Sequence, residues 1–276
     1  MYDTTIDTAH GTSPLPIEIV ETEPDLYWHI AHAMYFEIEE RNRAGNGTVF
    51  IAPVGPVFQY RRFVDLCTRR PVDLSRVHFF FMDEYMPDAT TLIPAGDPLS
   101  FRGFIAEELV GAMPEDMGLT PQQAHFPDPA DPGAYDAAIE ELGGVDTCIA
   151  GVGINGHLAF NEPPEPGEAV SDEEFLERST RVLAISRETR TINSNTALRG
   201  AVDRVPPYAV TVGIKQIMAA RKLRIYLNRP WQSAVVRRIL YGEVGAAFPA
   251  SFARRHPDAR IVLTRLVSEQ PRFALK

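Results

Sequence analysis

Asn155, His157 and Glu162 fall within the stretch "GVGINGHLAFNEP" (151–163), directly after the apolar run "DTCIA". A histidine with a carboxylate five residues on is suited to proton transfer. In a loop, Glu162 can accept a hydrogen bond from the imidazole, fixing its tautomer and raising its basicity. Asn155 can orient the same group as a neutral donor or acceptor. Gly156 allows positive φ and close approach of a substrate to the backbone. A second candidate is the pair Asp83 and Glu84, which closes the run "RVHFFFMDEY" (76–85). Side chains alternate faces along a strand, so only one of the two can face a given cleft. A partly desolvated carboxylate at a strand end can serve as a proton-transfer base. The structural alternatives stay open here: a hydrogen-bonded loop histidine with a capping Asn155, and a helix cap or surface ion pair for Asp83 and Glu84.

Other motifs carry less. His29 and His32 are three apart on a helical segment, half a metal site with no carboxylate in matching register. "GVGING" satisfies GxGxxG, but no acidic residue ends a second strand about 20 positions on, as a dinucleotide site requires. No GxSxG elbow is present for a serine hydrolase.

Positioning these residues falls to strand-length apolar runs that alternate with amphipathic segments. Strands are expected at "IEIVE" (17–21), "TVFIAPV" (48–54), 76–85, "VDTCIAGVG" (145–153), "TRVLAIS", "AVTVGIKQIM", "LRIYLN" and "ARIVLT". Helices are expected at "DLYWHIAHAMYFEIEERNRAG", "VFQYRRFVDLCTRR", "DPLSFRGFIAEELVGAM", "AYDAAIEELGG" and "PWQSAVVRRILYG", the last with Pro230 as first residue. This order predicts an α/β fold: a doubly wound, mainly parallel sheet with helices on both faces, Rossmann-like in outline. Ligands of such sheets gather beyond the carboxyl ends of the strands, where "PVGPVFQY", "DEYMP" and "GINGHLAFNEP" all lie. Residues 1–15 read as a polar, mobile arm and 16–276 as a single domain. The Pro- and acid-rich insertion 163–178 reads as a lid beside the Gly-rich loop or as solvated surface.

The formal net charge of -10 leaves no basic excess for phosphate backbones or anionic membranes. A small-molecule partner is expected instead, with no nucleic acid and no membrane; no apolar run approaches the ~20 residues of a membrane span. Cys67 and Cys148 sit in apolar runs, which suits buried thiols in a reducing cytoplasm. The first sixteen residues lack the basic start and apolar centre of a signal peptide.

"FMDEYMP" followed by "GVGINGHLAFNEP" resembles the glucosamine-6-phosphate deaminase (isomerase) family, within the larger group that includes 6-phosphogluconolactonases. "SFRGF", "TRVLAISRETRTINS", "VPPYAVTVGIKQIMAARKL" and "FPASFARRHPDA" extend the resemblance in order over roughly residues 17 to 267. It implies an enzyme that acts on an amino sugar and requires no metal or organic cofactor. Asp83 resembles the family's base that moves a proton between C2 and C1. His157 resembles the residue that assists ring opening, with Glu162 and Asn155 as its partners; some members carry aspartate at the Asn155 position. The implied sequence is ring opening, an enolamine, a ketimine, and release of ammonia and a ketose. The resemblance also allows a homo-oligomer. Its alternatives are a sugar lactone hydrolase, which would be expected to carry "DGH", or a sugar-sensing domain without turnover.

The chain departs from the family in its phosphate cradle. The family's Gly- and Ser/Thr-rich loop is "PVGPVFQY" here, Asn195 stands where an arginine is expected, and Gln232 stands at about the position of a lysine. Loss of several charge-assisted contacts to a dianion, at about 1.5–3 kcal/mol each, argues for a substrate other than an ordinary 6-phosphosugar, or for one bound differently. Val54 and Gly55 of the altered loop, with Glu84, Gly156, Arg190 and Arg229, are the expected substrate-binding residues. Arg190, Arg229 or Lys215 are the cations able to compensate.

Overall fold

The structure, a computed structural model, describes residues 1–6, 13–271 and 274. Its strands are β1 (Ile17–Val20), β2 (Thr48–Ala52), β3 (Val77–Phe81), β4 (Asp83–Met86), β5 (Ala124–His125), β6 (Thr147–Ala150), β7 (Arg181–Ala184), β8 (Tyr208–Thr211), β9 (Lys222–Leu227) and β10 (Ala259–Thr264). The α-helices are α1 (Glu23–Arg43), α2 (Phe58–Arg69), α3 (Phe101–Ile105), α4 (Pro132–Glu141), α5 (Asp172–Leu176), α6 (Arg187–Ala197), α7 (Ile214–Met218), α8 (Gln232–Tyr241) and α9 (Arg265–Ser268).

Seven strands form one sheet in the order β1-β10-β9-β6-β2-β3-β5, and every pairing is parallel. The reason is visible in β2, where all five residues are buried. Val49 and Ile51 join one core with α4 and α8, whereas Phe50 and Ala52 join a second core with α1 and α2. A strand apolar on both faces has to be covered on both, which gives the doubly wound α/β fold. Helix α1 starts at a capping box between Thr22 and Asp25, next to Pro24.

Expectation and structure differ at several points, one of them "AVTVGIKQIM", which is the end of β8 followed by α7. The run 76–85 is two strands. The chain leaves the parallel sheet at Met82, whose carbonyl accepts from Val212, and β4 enters a separate antiparallel sheet, β4-β8-β7. An unbroken apolar pattern carries no mark of such a bend. Helix α6 lies in "RETRTINSNTA", too polar to show helical periodicity, and is announced only by its cap, Ser186, whose hydroxyl accepts from Thr189 N–H. Helix α8 begins at Gln232, after Pro230 and Trp231.

The described ends of the 1–15 segment pack against the domain: Ile6 and Leu15 are buried in the core and the Thr4 carbonyl accepts from Arg237. Residues 7–12 of that arm lie outside the described residues. Within 163–178, Phe175 is fully buried, and Asp172 accepts from Ala246 N–H and pairs with Arg255. That segment borders a different cavity, formed with Gly242–Phe248. No helix among the described residues is long and apolar enough to cross a membrane.

Candidate active site

Beyond the carboxyl ends of β2, β3, β6 and β9 lies a cleft of about 230 Å³. The loop after β2 contributes Pro53 to Pro56, the bend after β3 contributes Met82 and Asp83, and the loop after β6 contributes Gly151, Val152, Gly153 and His157. The apolar β-strand stems hold these loops rigidly, so polar groups at their tips are placed without conformational search.

Asp83 is 8% exposed and borders the cleft. Its carboxylate has no hydrogen-bonding partner among the described residues. Burial, reinforced by the neighbouring Glu84 charge, pushes its pKa up to about 8. It is therefore an unpaired carboxyl poised to exchange protons near neutrality.

Glu84, the next residue on the strand, faces the other way and is fully buried. It accepts from the Ser100 hydroxyl (2.8 Å), from Phe101 and Arg102 N–H (3.0 and 2.9 Å) and from Arg102 Nε (3.3 Å). With a further bond from Tyr85 N–H (2.9 Å), its oxygens are taken by the backbone and the start of α3, and it does not line the cleft, contrary to the expectation that it meets substrate. The alternation of β4 is the cause.

His157 reaches the cleft because Gly153 has no side chain: a Cβ there would lie 1.9 Å from the imidazole. The imidazole Nδ1 lies 2.8 Å from Asn155 Oδ1, and Asn155 Nδ2 donates to Glu162 Oε2 at 2.5 Å. Glu162 is 3.6 Å from Nδ1, beyond hydrogen-bonding reach. The expected direct His157–Glu162 bond is thus replaced by a relay through the Asn155 amide. Asn155 Oδ1 can only accept, so Nδ1 carries the proton and Nε2 is left as the basic nitrogen for a ligand. Burial alone would raise the Glu162 pKa. The attraction of the His157 imidazole and the Asn155 and Thr189 donors outweigh it and hold the carboxyl at about 2. Ser186 N–H donates to its other oxygen at 3.2 Å.

The remaining expected residues divide. Val54 and Gly55 line the cleft, as does Arg229, which also pairs with Glu23 at 3.6 Å. Gly156 does not: with φ of 88° it makes the turn behind His157, where Phe248 covers it. Arg190 is turned away, its guanidinium donating to the Val205 carbonyl (3.1 Å) and weakly to that of Val202. Lys215 pairs with Glu177 at 2.8 Å, also away from the cleft. Arg229 is accordingly the single guanidinium or ammonium among the cleft's lining residues.

Further residues complete the cleft. Asn193 and Thr196 come from α6, the helix that showed no periodicity. Gln232 closes the cleft floor: its Oε1 accepts from Asn228 and Arg229 N–H, and its Nε2 donates to the Val152 carbonyl, each at 2.8 Å. A neutral amide can serve donor and acceptor at once, whereas a lysine could only donate. Tyr226 and Trp231 add aromatic walls.

No family model matches the chain. Individual relatives do. A glucosamine-6-phosphate deaminase of Lachnoclostridium phytofermentans is 30% identical over 213 residues, 75% of this chain and 82% of the relative. One of Bifidobacterium longum is 30% identical over 222 residues, 75% of each chain. Among solved structures, a monomeric glucosamine-6-phosphate deaminase superposes with a TM-score of 0.78 at 22% identity, covering 92% of this chain and 99% of that one. A 6-phosphogluconolactonase from Trypanosoma cruzi superposes at 0.66 and 17% identity, over 94% and 98%. The structural likeness establishes the fold. The sequence identity, maintained over three quarters of this chain, makes it an enzyme of the glucosamine-6-phosphate deaminase family.

Proposed function

We propose that this enzyme isomerises and deaminates an amino sugar that carries no phosphate at the position where its relatives' substrate has one, releasing ammonia and a ketose. The observation that carries the reading is the pairing of proton-transfer groups with a nearly uncharged binding surface. Asp83 and His157 border one cleft, and Arg229, already beside Glu23, is its sole permanent cation among the lining residues. A phosphate dianion is ordinarily held by several charge-assisted bonds. Pro53 and Pro56 remove two backbone donors from the loop that would cradle it.

In this reading His157 Nε2 takes the proton of the C1 hydroxyl and returns it to the ring oxygen, opening the sugar. Asn155 and the ionised Glu162 stabilise the transient imidazolium. Asp83, as carboxylate, takes the C2 proton. As the enolamine forms, the C2 ammonium gives a proton to the C1 oxygen. The enolamine then takes a proton at C1 from the Asp83 carboxyl, which has exchanged with solvent, leaving C2 as a protonated ketimine. Water adds to C2, ammonia leaves, and a ketose remains. The completed sequence restores Asp83 and His157, so no external acid or base is consumed.

Ammonium release from glucosamine and from glucosamine 6-phosphate tests the proposal. It predicts a higher kcat/KM for the unphosphorylated sugar. A preference of tenfold or more for the phosphate ester would overturn the substrate assignment. Rapid opening of a sugar lactone without ammonia from any amino sugar would overturn the reaction.

A further inference from the structure

A second, larger cavity of about 680 Å³ adjoins the catalytic cleft, and the two share Val54, Gly55, Pro56, Phe101, Phe160, Asn193, Thr196 and Arg229 as walls. Neither Asp83 nor His157 borders it. Its further lining is dominated by Tyr27, Phe58, Tyr85, Phe104 and Leu198. Phe58 is 48% exposed at its rim, with its ring 5.5 Å from that of Tyr27. An apolar hollow of this size, open to solvent and continuous with a catalytic cleft, is unusual unless something fills it.

We propose that the substrate is an amino sugar bearing an apolar acyl or aryl group on the end remote from C1 and C2, and that this cavity is the subsite for that group. This rests on the proposed deamination, whose chemistry fixes where the group can be attached. Ring opening needs a free hydroxyl at C1, so the group cannot be a glycosidic aglycone. Release of ammonia needs a free amine at C2, so it cannot be an amide there. With C1 and C2 held at Asp83 and His157, the C4–C6 end of the sugar points to the shared wall and the larger cavity. The loop residues Pro56, Val57 and Phe58, which remove the phosphate cradle, are also the ones that supply this apolar wall. One substitution of loop chemistry thus accounts for both the missing charge and the added apolar surface.

The test compares glucosamine with 6-O-benzylglucosamine. A benzyl ring buries on the order of 100 Å² of apolar surface, enough for about tenfold tighter binding or more. The expected result is a kcat/KM for ammonia release at least about tenfold higher for the benzyl ether. Ala197→Trp, at an exposed position lining the cavity, should fill it and bring the ratio of the two sugars toward one. Equal or poorer use of the benzyl ether, or a ratio unmoved by Ala197→Trp, overturns the subsite. So does a clear preference for a 6-O-glycosyl amino sugar over the benzyl ether. If neither sugar releases ammonia, the deamination reading fails instead. Calorimetric binding to the Asp83→Asn variant then still decides the subsite: tighter binding of the benzyl ether supports it, and equal binding refutes it.

Discussion

Asp83→Asn should make the protein more stable while removing its activity, and the size of the effect follows from where the carboxyl lies. An aspartyl group ordinarily titrates near 3.8, whereas burial and the Glu84 charge raise Asp83 to about 8. The folded chain therefore holds a proton that the unfolded chain releases. With a raised carboxyl pKa, the stability contribution is complete below pH 3.8 and is lost as pH rises through about 8. At pH 7 the unfolded chain gains from about three pH intervals of ionisation at about 1.4 kcal/mol each, or roughly 4 kcal/mol. Asparagine is nearly isosteric and stays neutral, so the variant escapes this loss. Urea unfolding followed by circular dichroism at pH 4, 5, 6, 7 and 8 measures both chains. Titrations common to both cancel in the difference. The two should coincide near pH 4 and diverge steadily, with the variant the more stable by up to about 4 kcal/mol at pH 7. Parallel profiles, or a wild type more stable at pH 7, would refute the claim that Asp83 is an unpaired, desolvated carboxyl.

The same titration predicts that wild-type kcat/KM climbs with pH toward about 8, as the base form of Asp83 accumulates in the free enzyme; a flat profile from pH 6 to 8 would count against it. Gly153→Ala should displace the His157 ring, which lies 1.9 Å from the new Cβ, and cut kcat by about a hundredfold, as small misplacements of catalytic groups do. Glu162→Gln should cost up to about 3 kcal/mol at pH 7, because the wild-type contribution is present above pH 4.5 and is lost as pH falls through about 2. Thermal unfolding at pH 7 and pH 3 should show the gap narrowing. Glu84→Ala should destabilise by about 3–5 kcal/mol, since it strands Arg102 Nε and the Phe101 and Arg102 N–H groups, which the Ser100 cap on Gly103 does not serve. An unchanged melting temperature with a raised KM would restore Glu84 to the substrate site.

The parallel sheet was legible because its strands are apolar on both faces and separated by helical periodicity, a pattern with few alternatives. The loops beyond the strand ends followed from topology, and they do bring Asp83 and His157 to one cleft. What stayed hidden has local causes. The turn at Met82 into a second sheet changes pairing without changing the period of the sequence, so β4, β7 and β8 read as members of the main sheet. The glycine loop showed that the backbone comes close to something, but not to what. Gly153 makes room for an imidazole, while Gly156 makes only a turn. Arg190 and Lys215 looked available because sequence lists charges without their partners; the carbonyl of Val205 and the carboxylate of Glu177 already hold them. Gln232 was placed at the cradle by its position at a helix start, but its role there stayed hidden, because it depends on three backbone groups from two loops.

Turnover of glucosamine in deuterated water tests the proton path most directly. The proposal requires ammonium release accompanied by deuterium at C1 of the ketose, because Asp83 moves a proton from C2 to C1 and exchanges with solvent between the two steps. Asp83→Asn should give neither ammonium nor label. Ammonium release that continues in Asp83→Asn, with deuterium still entering C1, would contradict the account.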